Sequence, residues 1–390
     1  MKWLLTTLIL LCMNGQTIMA VGEMPIIAYM GVPNNRSTDE NFKDFKDCGF
    51  NVSLYGYASL QQLTAACEVA QKYGVRILGH CPETHESPKR AASILKDNKG
   101  FFGYVLQDEP SASDIRELQK EIAQLATVDN KHCFYINLLP FYDNWILRYT
   151  KTATYSDYLD AATATSCRQI SFDYYPITHK GLRNGWYNNL EQIRHQSIKA
   201  KIPFWGFVLS VPHAMYPQPD LGSLRLQVYS NLAYGAQAIQ YFTYWTPQPE
   251  GENNYHNGPI DINGQKTETY YLVQKMNREL RIISKVFYGA KIISVNHLGK
   301  TPKGTTRLSK LPLNIKSLKV TGKRGIIVSQ LENKGITYLA LVNKDYTHSA
   351  RVDIQPRNQV PKHLSKSLVE EPMNSSYVVN PGDLLLFKLN

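Results

Sequence analysis

The chain has 390 residues, of which 43% are hydrophobic, and its 43 Lys and Arg outnumber 32 Asp and Glu to give a formal charge of +11. This length exceeds one small domain and suits a barrel of ~250 residues with a further domain of ~100 residues; the apolar fraction is enough for a large core without disulfides or a metal. The positive charge would suit nucleic acid, but no nucleic-acid-binding motif is present, so an acidic polysaccharide, an anionic envelope surface or simply a solvated basic face is expected.

The first twenty residues are expected to form an export signal. Lys2 supplies positive charge, residues 3–11 form a short apolar run, and residues 18–20 offer a cleavage site. The run is too short to cross a bilayer, and no later segment approaches the ~20 apolar residues that a spanning helix needs. We expect an exported, soluble protein, periplasmic or extracellular, that is a monomer or weak oligomer. A lipoprotein anchored through Cys12 is the alternative, although Leu11 stands where a small residue is usual.

Cysteine usage indicates no metal site and no cofactor. The odd number of cysteines left after signal removal shows no CxxC pair and no His/Cys ligand spacing, which favours small buried thiols over a disulfide framework. One opportunistic disulfide remains an alternative. The five residues are Cys48, Cys67, Cys81, Cys133 and Cys167.

Short apolar or aromatic runs then alternate with helix-length amphipathic segments up to about residue 288. The predicted strands are Ile26–Met30, Asn51–Tyr57, Val75–His80, Phe102–Gln107, Cys133–Leu138, Ile170–Tyr174, Phe204–Leu209 and Ile239–Tyr244. The predicted helices are Thr38–Cys48, Ser59–Tyr73, Ser111–Ala126, Asn188–Ala200, Leu221–Ala233 and Glu268–Phe287. Eight strands with interleaved helices predict a TIM (β/α)8 barrel over residues 21–288. No GxGxxG or GxxxxGK[ST] follows any strand, which argues against a nucleotide site.

From about Ala290 the pattern changes to short strands separated by Gly, Asn, Asp and Pro. The predicted strands are Leu313–Val320, Gly325–Leu331, Ile336–Asn343, Arg351–Ile354 and Asp383–Leu389. Because no helix-length segment interrupts them, residues 289–390 are predicted to form a small C-terminal all-β sandwich.

The strongest functional signal is the acidic pair Asp108-Glu109 at the end of the fourth strand. Strand alternation predicts two faces. Phe102, Tyr104 and Leu106 would face the helices, whereas Gly103, Val105, Gln107 and Glu109 would face the barrel axis. A carboxylate held inward at the catalytic end of a barrel is costly unless it is used or paired. The alternative is that Asp108 and Glu109 only cap the helix that begins after Pro110.

A second carboxylate, Asp173, follows the sixth strand. Alternation places it on one face with Ser171 and Tyr175. Two carboxyl groups at one barrel mouth suit cleavage of a glycosidic bond, one protonating the leaving oxygen and the other acting as base or nucleophile. The alternative is an Asp that hydrogen-bonds the backbone or an Arg.

Aromatic residues gather at the predicted strand ends. Sugar rings stack their C–H faces on aromatic rings, and Tyr adds a hydrogen-bonding hydroxyl. Nine residues are therefore candidates for substrate binding, with core packing as the alternative for each aromatic one. They are Tyr29, Tyr55, Tyr57, His80, Asn137, Tyr175, Gln240, Tyr244 and Trp245.

Two other site types receive little support. A metal set would draw on acidic and histidine residues near the strand ends, but their spacing matches no known signature, so no metal is predicted. Its members would be His80, Glu83, His85, Asp108, Glu109 and His213. A Ser-His-Asp acyl hydrolase is disfavoured because no GxSxG elbow is present.

The segment Gln107-Asp108-Glu109-Pro110 resembles the Asn-Glu-Pro acid/base motif of clan A barrel glycoside hydrolases, and it follows the fourth predicted strand as theirs does. Residues 227–236 and 241–245 are similar to the last helix–strand unit of family 42 β-galactosidases. The resemblance implies a glycosidase with Glu109 as general acid/base and a small β-domain behind the barrel.

The chain departs from that pattern in two places. Asp108 stands where the clan has Asn, and the seventh strand ends at Ser210 without the Glu that serves the clan as nucleophile. Three interpretations remain open. In the first, Asp173 acts as the second carboxylate. In the second, Asp108 does, since an Asp-Glu pair resembles that of substrate-assisted hexosaminidases, in which the Asp orients an acetamido group. In the third, the chain is a non-catalytic glycan-binding barrel of the cell envelope.

Overall fold

The computed structural model describes residues 22–390. The predicted export signal and Cys12 lie outside the described residues. Within them, no helix is both long enough and apolar enough to cross a bilayer. The five cysteines of the described residues are all buried free thiols, as the sequence favours.

Eight parallel strands close into a barrel, which confirms the predicted fold class. They are β1 Ile26–Tyr29, β2 Val52–Gly56, β3 Arg76–His80, β4 Phe101–Asp108, β5 Cys133–Leu138, β6 Ile170–Phe172, β7 Phe204–Leu209 and β8 Ala238–Phe242. Each strand pairs with its neighbours in chain order, and β8 pairs with β1 to complete the cylinder. The carboxyl ends of the eight strands, where the predicted site residues lie, therefore meet at one rim.

In residues 22–390, ten α-helices surround the barrel. They are α1 Asp39–Asp47, α2 Leu60–Lys72, α3 Pro82–Glu86, α4 Pro88–Leu95, α5 Ala112–Ala126, α6 Trp145–Thr150, α7 Tyr155–Thr163, α8 Trp186–Ala200, α9 Leu221–Tyr234 and α10 Glu268–Phe287. The six predicted helices lie within two residues of these bounds. Four short helices were not predicted, since α3 and α4 each begin with a Pro that resembles a loop breaker, and α6 and α7 span only six and nine residues.

Strand β4 departs from simple alternation, and this corrects the predicted facing of Phe102. Its register shifts against β3 near Phe102 and against β5 at Leu106, which are two β-bulges. Phe102 consequently turns inward and packs in the barrel interior with Val105, instead of facing the helices. Beyond the second bulge, Asp108 pairs with Asn137 of β5 and shares its axis-facing side. Asp108 is thus a rim residue.

The C-terminal part is a two-sheet antiparallel sandwich, as predicted. One sheet has the order β9-β11-β12-β17-β14-β15 and the other β10-β13-β16. The strands are β9 Lys291–Leu298, β10 Ile315–Thr321, β11 Ile326–Asn333, β12 Ile336–Asn343, β13 Ala350–Pro356, β14 Lys362–Leu364, β15 Glu370–Glu371, β16 Ser376–Val379 and β17 Leu384–Lys388. An apolar core fills the space between the sheets.

The larger sheet packs its outer face on α9, which is buried on all sides from Leu226 to Tyr234. Ser329 of β11 donates a hydrogen bond to the carbonyl of Ala233 at 2.7 Å. Arg225 of α9 also pairs with Asp383 at 3.3 Å. Barrel and sandwich therefore share one continuous apolar core.

Candidate active site

Three carboxylates meet at the rim formed by β4, β5 and β6. Asp108 is the last residue of β4, Glu109 follows it, and Asp173 comes directly after β6. The Nδ2 group of Asn137 on β5 donates to Oδ1 of Asp108 at 3.1 Å and to Oδ1 of Asp173 at 2.9 Å. One amide therefore links the carboxylates of two strands, and all three predicted catalytic residues lie together.

A polar layer inside the barrel fixes the orientation of that amide. The hydroxyl of Ser171 donates to Oδ1 of Asn137 at 2.8 Å, which leaves only the Nδ2 group to face the carboxylates. Gln240 in turn donates to Ser171 at 2.8 Å and accepts from the hydroxyl of Tyr135 at 2.9 Å. Asn137 and Gln240, predicted as substrate contacts, are almost fully buried and so act as positioning residues beneath the site.

The backbone of Glu109 is held in the left-handed region, with φ +46°. Its N–H donates to the carbonyl of Asn137 at 2.9 Å, which anchors the residue to β5. A non-glycine residue in this conformation costs about 1–2 kcal/mol, and such strain concentrates at functional sites. The capping alternative is wrong, because Ser111 with Asp114 forms the capping box of α5.

The three carboxylates have no cationic partner in the described part of the chain. Across residues 22–390, none of them forms an ion pair with Lys, Arg or His within 4.0 Å. Burial, followed by repulsion from Asp108, raises the pKa of Glu109 to about 7. Burial also raises the pKa of Asp173 well above its usual range, and Glu109 and Asp108 add to the effect. Like charges this close keep one proton within the cluster at neutral pH, as an acid and base pair requires.

The hydrogen bonds indicate where that proton lies. Asn137 donates to Asp108 and Asp173, and a donor stabilises the ionised form of a carboxyl group. The carboxyl group of Glu109 receives no hydrogen bond from any described side chain. Burial raises the pKa of both Glu109 and Asp173, so the two compete for the proton, but the lack of a donor favours Glu109 as the acid.

We expect Glu109→Gln to stabilise the fold at high pH. The folded state retains a proton that the unfolded state releases above pH ~4.5, so this group lowers stability progressively as pH rises from about 4.5 to about 7. The variant should therefore gain up to about 3 kcal/mol in free energy of unfolding at pH 8 and little at pH 4. Urea denaturation at both pH values measures the difference. Equal gains at both, or the same gain in the exposed control Glu86→Gln, would contradict the electrostatic assignment.

Aromatic side chains form a wall beside the carboxylates. The ring centroids of Tyr29 and Phe242 are 5.7 Å apart, and Phe242 and Tyr175 are separated by the same distance. Burial raises the pKa of Tyr29 to about 12, and the negative charges of Asp108 and Asp173 add to this shift. Tyr29 and Tyr175 thus lie where the sequence predicts.

Sequence reasoning missed four further aromatic residues around this wall. Tyr142 lies in the segment between β5 and α6. Its hydroxyl accepts a hydrogen bond from the N–H of Tyr175 at 3.2 Å. Tyr216 and Tyr255 pack around His213 with centroids 4.9 and 4.6 Å away. The missed residues are Tyr142, Tyr216, Phe242 and Tyr255. Phe242 ends β8, whereas the other three lie in the segments after β5, β7 and β8. The length of those segments was their signal, since long loops at this rim often carry function.

Other predicted substrate contacts do not join the wall. Tyr57 is packed in the core outside the barrel, and Tyr244 lies edge-on to Phe45, with centroids 4.8 Å apart, so burial leaves neither ring a face for a sugar. Trp245 is buried in the same core, with Gly264 against its ring. Packing against α1 and the loop before α10 explains these departures. Tyr55, at the end of β2, stays half-buried beside Tyr57.

The histidines of the metal alternative do not converge on the carboxylates. His80 lies edge-on to His85 at 5.8 Å, and His213 packs among Tyr216 and Tyr255. No group of three or more His, Cys, Asp or Glu in residues 22–390 is arranged to hold a metal ion.

Comparison with known proteins resolves the class of the barrel. Residues 131–283, less than half of the chain, match the family model of glycoside hydrolase family 42, described as β-galactosidase. Over these residues the chain is similar to family 42 glycoside hydrolases. The match supports a glycosidase, in agreement with the sequence-based resemblance. No curated protein sequence matches it.

Solved β-galactosidases share the fold of this chain. A catalytic mutant of a β-galactosidase from G. stearothermophilus aligns at TM-score 0.66 and 8% identity, covering 95% of this chain and 98% of that one. The β-galactosidase from Bacillus circulans sp. alkalophilus aligns at TM-score 0.64 and 8% identity, covering 94% of this chain and 99% of that one. The β-galactosidase from the psychrophilic Marinomonas ef1 aligns at TM-score 0.55 and 9% identity, covering 94% of this chain and 100% of that one. At these identities the likeness shows the fold alone.

The glycoside hydrolase has no carboxylate at the end of β7. Ser210 occupies that position, fully buried, and its hydroxyl donates to the carbonyl of Thr243 at 2.7 Å. The departure noted in the sequence is thus present in the fold, and the acidic residues concentrate on β4 and β6 instead.

Proposed function

We propose that Glu109 and Asp173 are the acid and its partner carboxylate in hydrolysis of an O-glycosidic bond of an oligosaccharide or polysaccharide. The observation that carries this proposal is the group of three unpaired carboxylates at one rim, with the pKa of Glu109 raised to about 7. An uncompensated acidic cluster beside aromatic rings is costly for folding and suits chemistry on a sugar. β-Galactosides are the first substrates to test, because the matching family model is described by that activity.

In this mechanism Glu109 protonates the leaving oxygen as the bond to the anomeric carbon breaks. Asp173, ionised and oriented by Asn137, either activates water as a base or attacks the anomeric carbon itself. Asp108 shares the same amide, and its negative charge favours the protonated form of Glu109. The sugar ring would stack against the wall of Tyr29 and Tyr175.

A second candidate is substrate-assisted cleavage of an N-acetylhexosaminide. The bulge in β4 turns Asp108 toward the barrel axis beside Glu109, where it could orient an acetamido group while Glu109 acts as the acid. In that case the acetamido oxygen supplies the nucleophile, and Asp173 contributes only charge.

A panel of aryl glycosides tests the proposal. The mature protein should release aryl alcohol from one class of glycoside, with β-galactosides and β-N-acetylglucosaminides deciding between the two candidates. Absolute dependence on the 2-acetamido group would favour the substrate-assisted route. Saturable oligosaccharide binding with no product after long incubation would overturn both, in favour of the non-catalytic alternative.

We also propose that the protein is exported through residues 1–20 to the periplasm or cell exterior. Support comes from the positive start, the apolar run and the cleavage site in the sequence. Mass spectrometry of the fractionated native protein should give a mature chain that begins near residue 21. An intact Met1 in the cytoplasmic fraction would contradict export, and a lipid-modified Cys12 would indicate the lipoprotein alternative.

A further inference from the structure

A basic cavity of about 380 Å³ lies where the barrel meets the sandwich. Five cationic side chains line it, and the lining includes no Asp or Glu. They are Arg183, from the segment before α8, and Lys300, Lys303, Arg324 and Lys344, from the loops of the C-terminal domain. In residues 22–390 none of these five forms an ion pair with a carboxylate within 4.0 Å. The cavity thus concentrates positive charge that the protein itself does not neutralise.

Lys344 is the most deeply placed of these cations, with only 2% of its surface exposed. Its Nζ contacts the carbonyl of Lys300 and lies 3.2 Å from Nδ1 of His297. Both partners are neutral, because burial lowers the pKa of His297 to about 3. Burial, followed by repulsion from Lys300, lowers the pKa of Lys344 itself to about 7. A bound anion would offset the cost of burying this ammonium group.

Three other polar atoms of the lining residues are buried without a hydrogen-bond partner. They are Nε of Arg183, the hydroxyl oxygen of Tyr187 and Oγ1 of Thr301. Such atoms are rare in native proteins and call for a ligand or water. The planar face of the Arg183 guanidinium lies 4.5 Å from the ring centroid of Tyr142, which holds the group in place. Donors fixed in this way suit the oxygens of an anion.

We propose that this cavity binds the carboxylate or sulfate group of an acidic sugar. The volume exceeds what a single inorganic ion fills and falls in the range of small-molecule sites. Leu182, Tyr187 and Pro302 supply apolar surface for the C–H face of a sugar ring, while the basic side chains receive its charge. The cavity lining contains none of the rim carboxylates Asp108, Glu109 and Asp173, which would repel the same group. Arg183 borders the aromatic wall through Tyr142 and Tyr216, but the proposal does not depend on the proposed catalytic roles.

Isothermal titration calorimetry of the mature protein tests the proposal. Glucuronate and galactose 6-sulfate serve as the acidic probes, and galactose and inorganic sulfate as the neutral and sugar-free ones. We expect at least one acidic sugar to bind at least tenfold more tightly than galactose and inorganic sulfate. Equal affinity for inorganic sulfate would overturn the sugar ligand, and absence of binding by both acidic probes would overturn the site.

Paired charge removals locate the binding. Lys300→Gln with Arg324→Gln should weaken acidic-sugar binding at least tenfold and leave glycoside hydrolysis unchanged, because these side chains lie outside the carboxylate cluster. Lys316→Gln with Lys319→Gln, two exposed positions on β10, removes the same charge elsewhere in the domain. Lys344→Met should also weaken binding. Undiminished binding in the cavity variants, or equal weakening in the β10 control, would place the anion elsewhere.

Discussion

Glu109→Gln should lower kcat on a disaccharide or alkyl glycoside by about 10²–10⁴-fold, with little change in substrate affinity. The amide keeps the size of the side chain but has no proton to give to the leaving oxygen. An aryl glycoside whose leaving group is strongly acidic needs no such proton, so its bond-breaking step should be nearly unaffected. Initial rates on both substrates measure this contrast.

The pH profile gives an independent measure of the same role. Because the reactive form of Glu109 is protonated and its pKa is about 7, kcat/KM of the wild type should fall as pH rises above about 7. The Gln variant should lack that limb of the profile. Glu86→Gln, an exposed carboxylate of α3, controls for charge alone. Unchanged turnover in Glu109→Gln would show that the acid lies elsewhere.

Asp173→Asn should lower turnover at least about a thousandfold on all glycosides, whatever their leaving group. A base or nucleophile acts at the anomeric carbon, and a more acidic leaving group does not replace that action. The variant retains the shape of the side chain, and its amide can still contact Asn137. Steady-state kinetics on the two aryl and alkyl substrates separate this uniform loss from the selective loss in Glu109→Gln.

Comparison with Asp108→Asn completes the assignment. In the Asp173 mechanism this change should cost much less than Asp173→Asn, because Asp108 only adjusts the charge around Glu109. In the substrate-assisted mechanism the order reverses, and Asp108→Asn becomes the more damaging. An Asp173→Asn variant with wild-type rates on every substrate would contradict the proposed partner role.

The barrel strands were predictable because a parallel strand buried on both faces appears as a continuous apolar run, such as Phe204–Leu209. The side of β4 on which Asp108 lies was not predictable. The β4 bulges arise from pairing with β3 and β5, and the local alternation of residues does not reveal them. Asn137 was found as a polar residue of the site, but its role beneath the carboxylates depends on Ser171, which is 34 residues away.

Tyr216 and Tyr255 were missed for a related reason. They lie in loops, whose course is set by tertiary packing around His213 and has no periodicity for a sequence pattern to follow. Tyr57 and Tyr244 show the opposite error, because an aromatic residue at a strand end can turn either to the rim or into the helix layer. Aromatic composition alone does not separate these outcomes.

The acidic groups come from neighbouring strands of one sheet instead of from opposite walls of the cylinder. Their spacing is consequently set by the hydrogen-bonded ladder from β4 through β5 to β6 and by one shared amide. A small change in barrel diameter would change the distance between side chains on opposite walls of the lumen. It would change the distance between side chains on neighbouring, hydrogen-bonded strands far less. In the proposed hydrolysis the scissile bond would therefore lie against this side of the lumen, and the opposite wall does not set the spacing of the carboxylates.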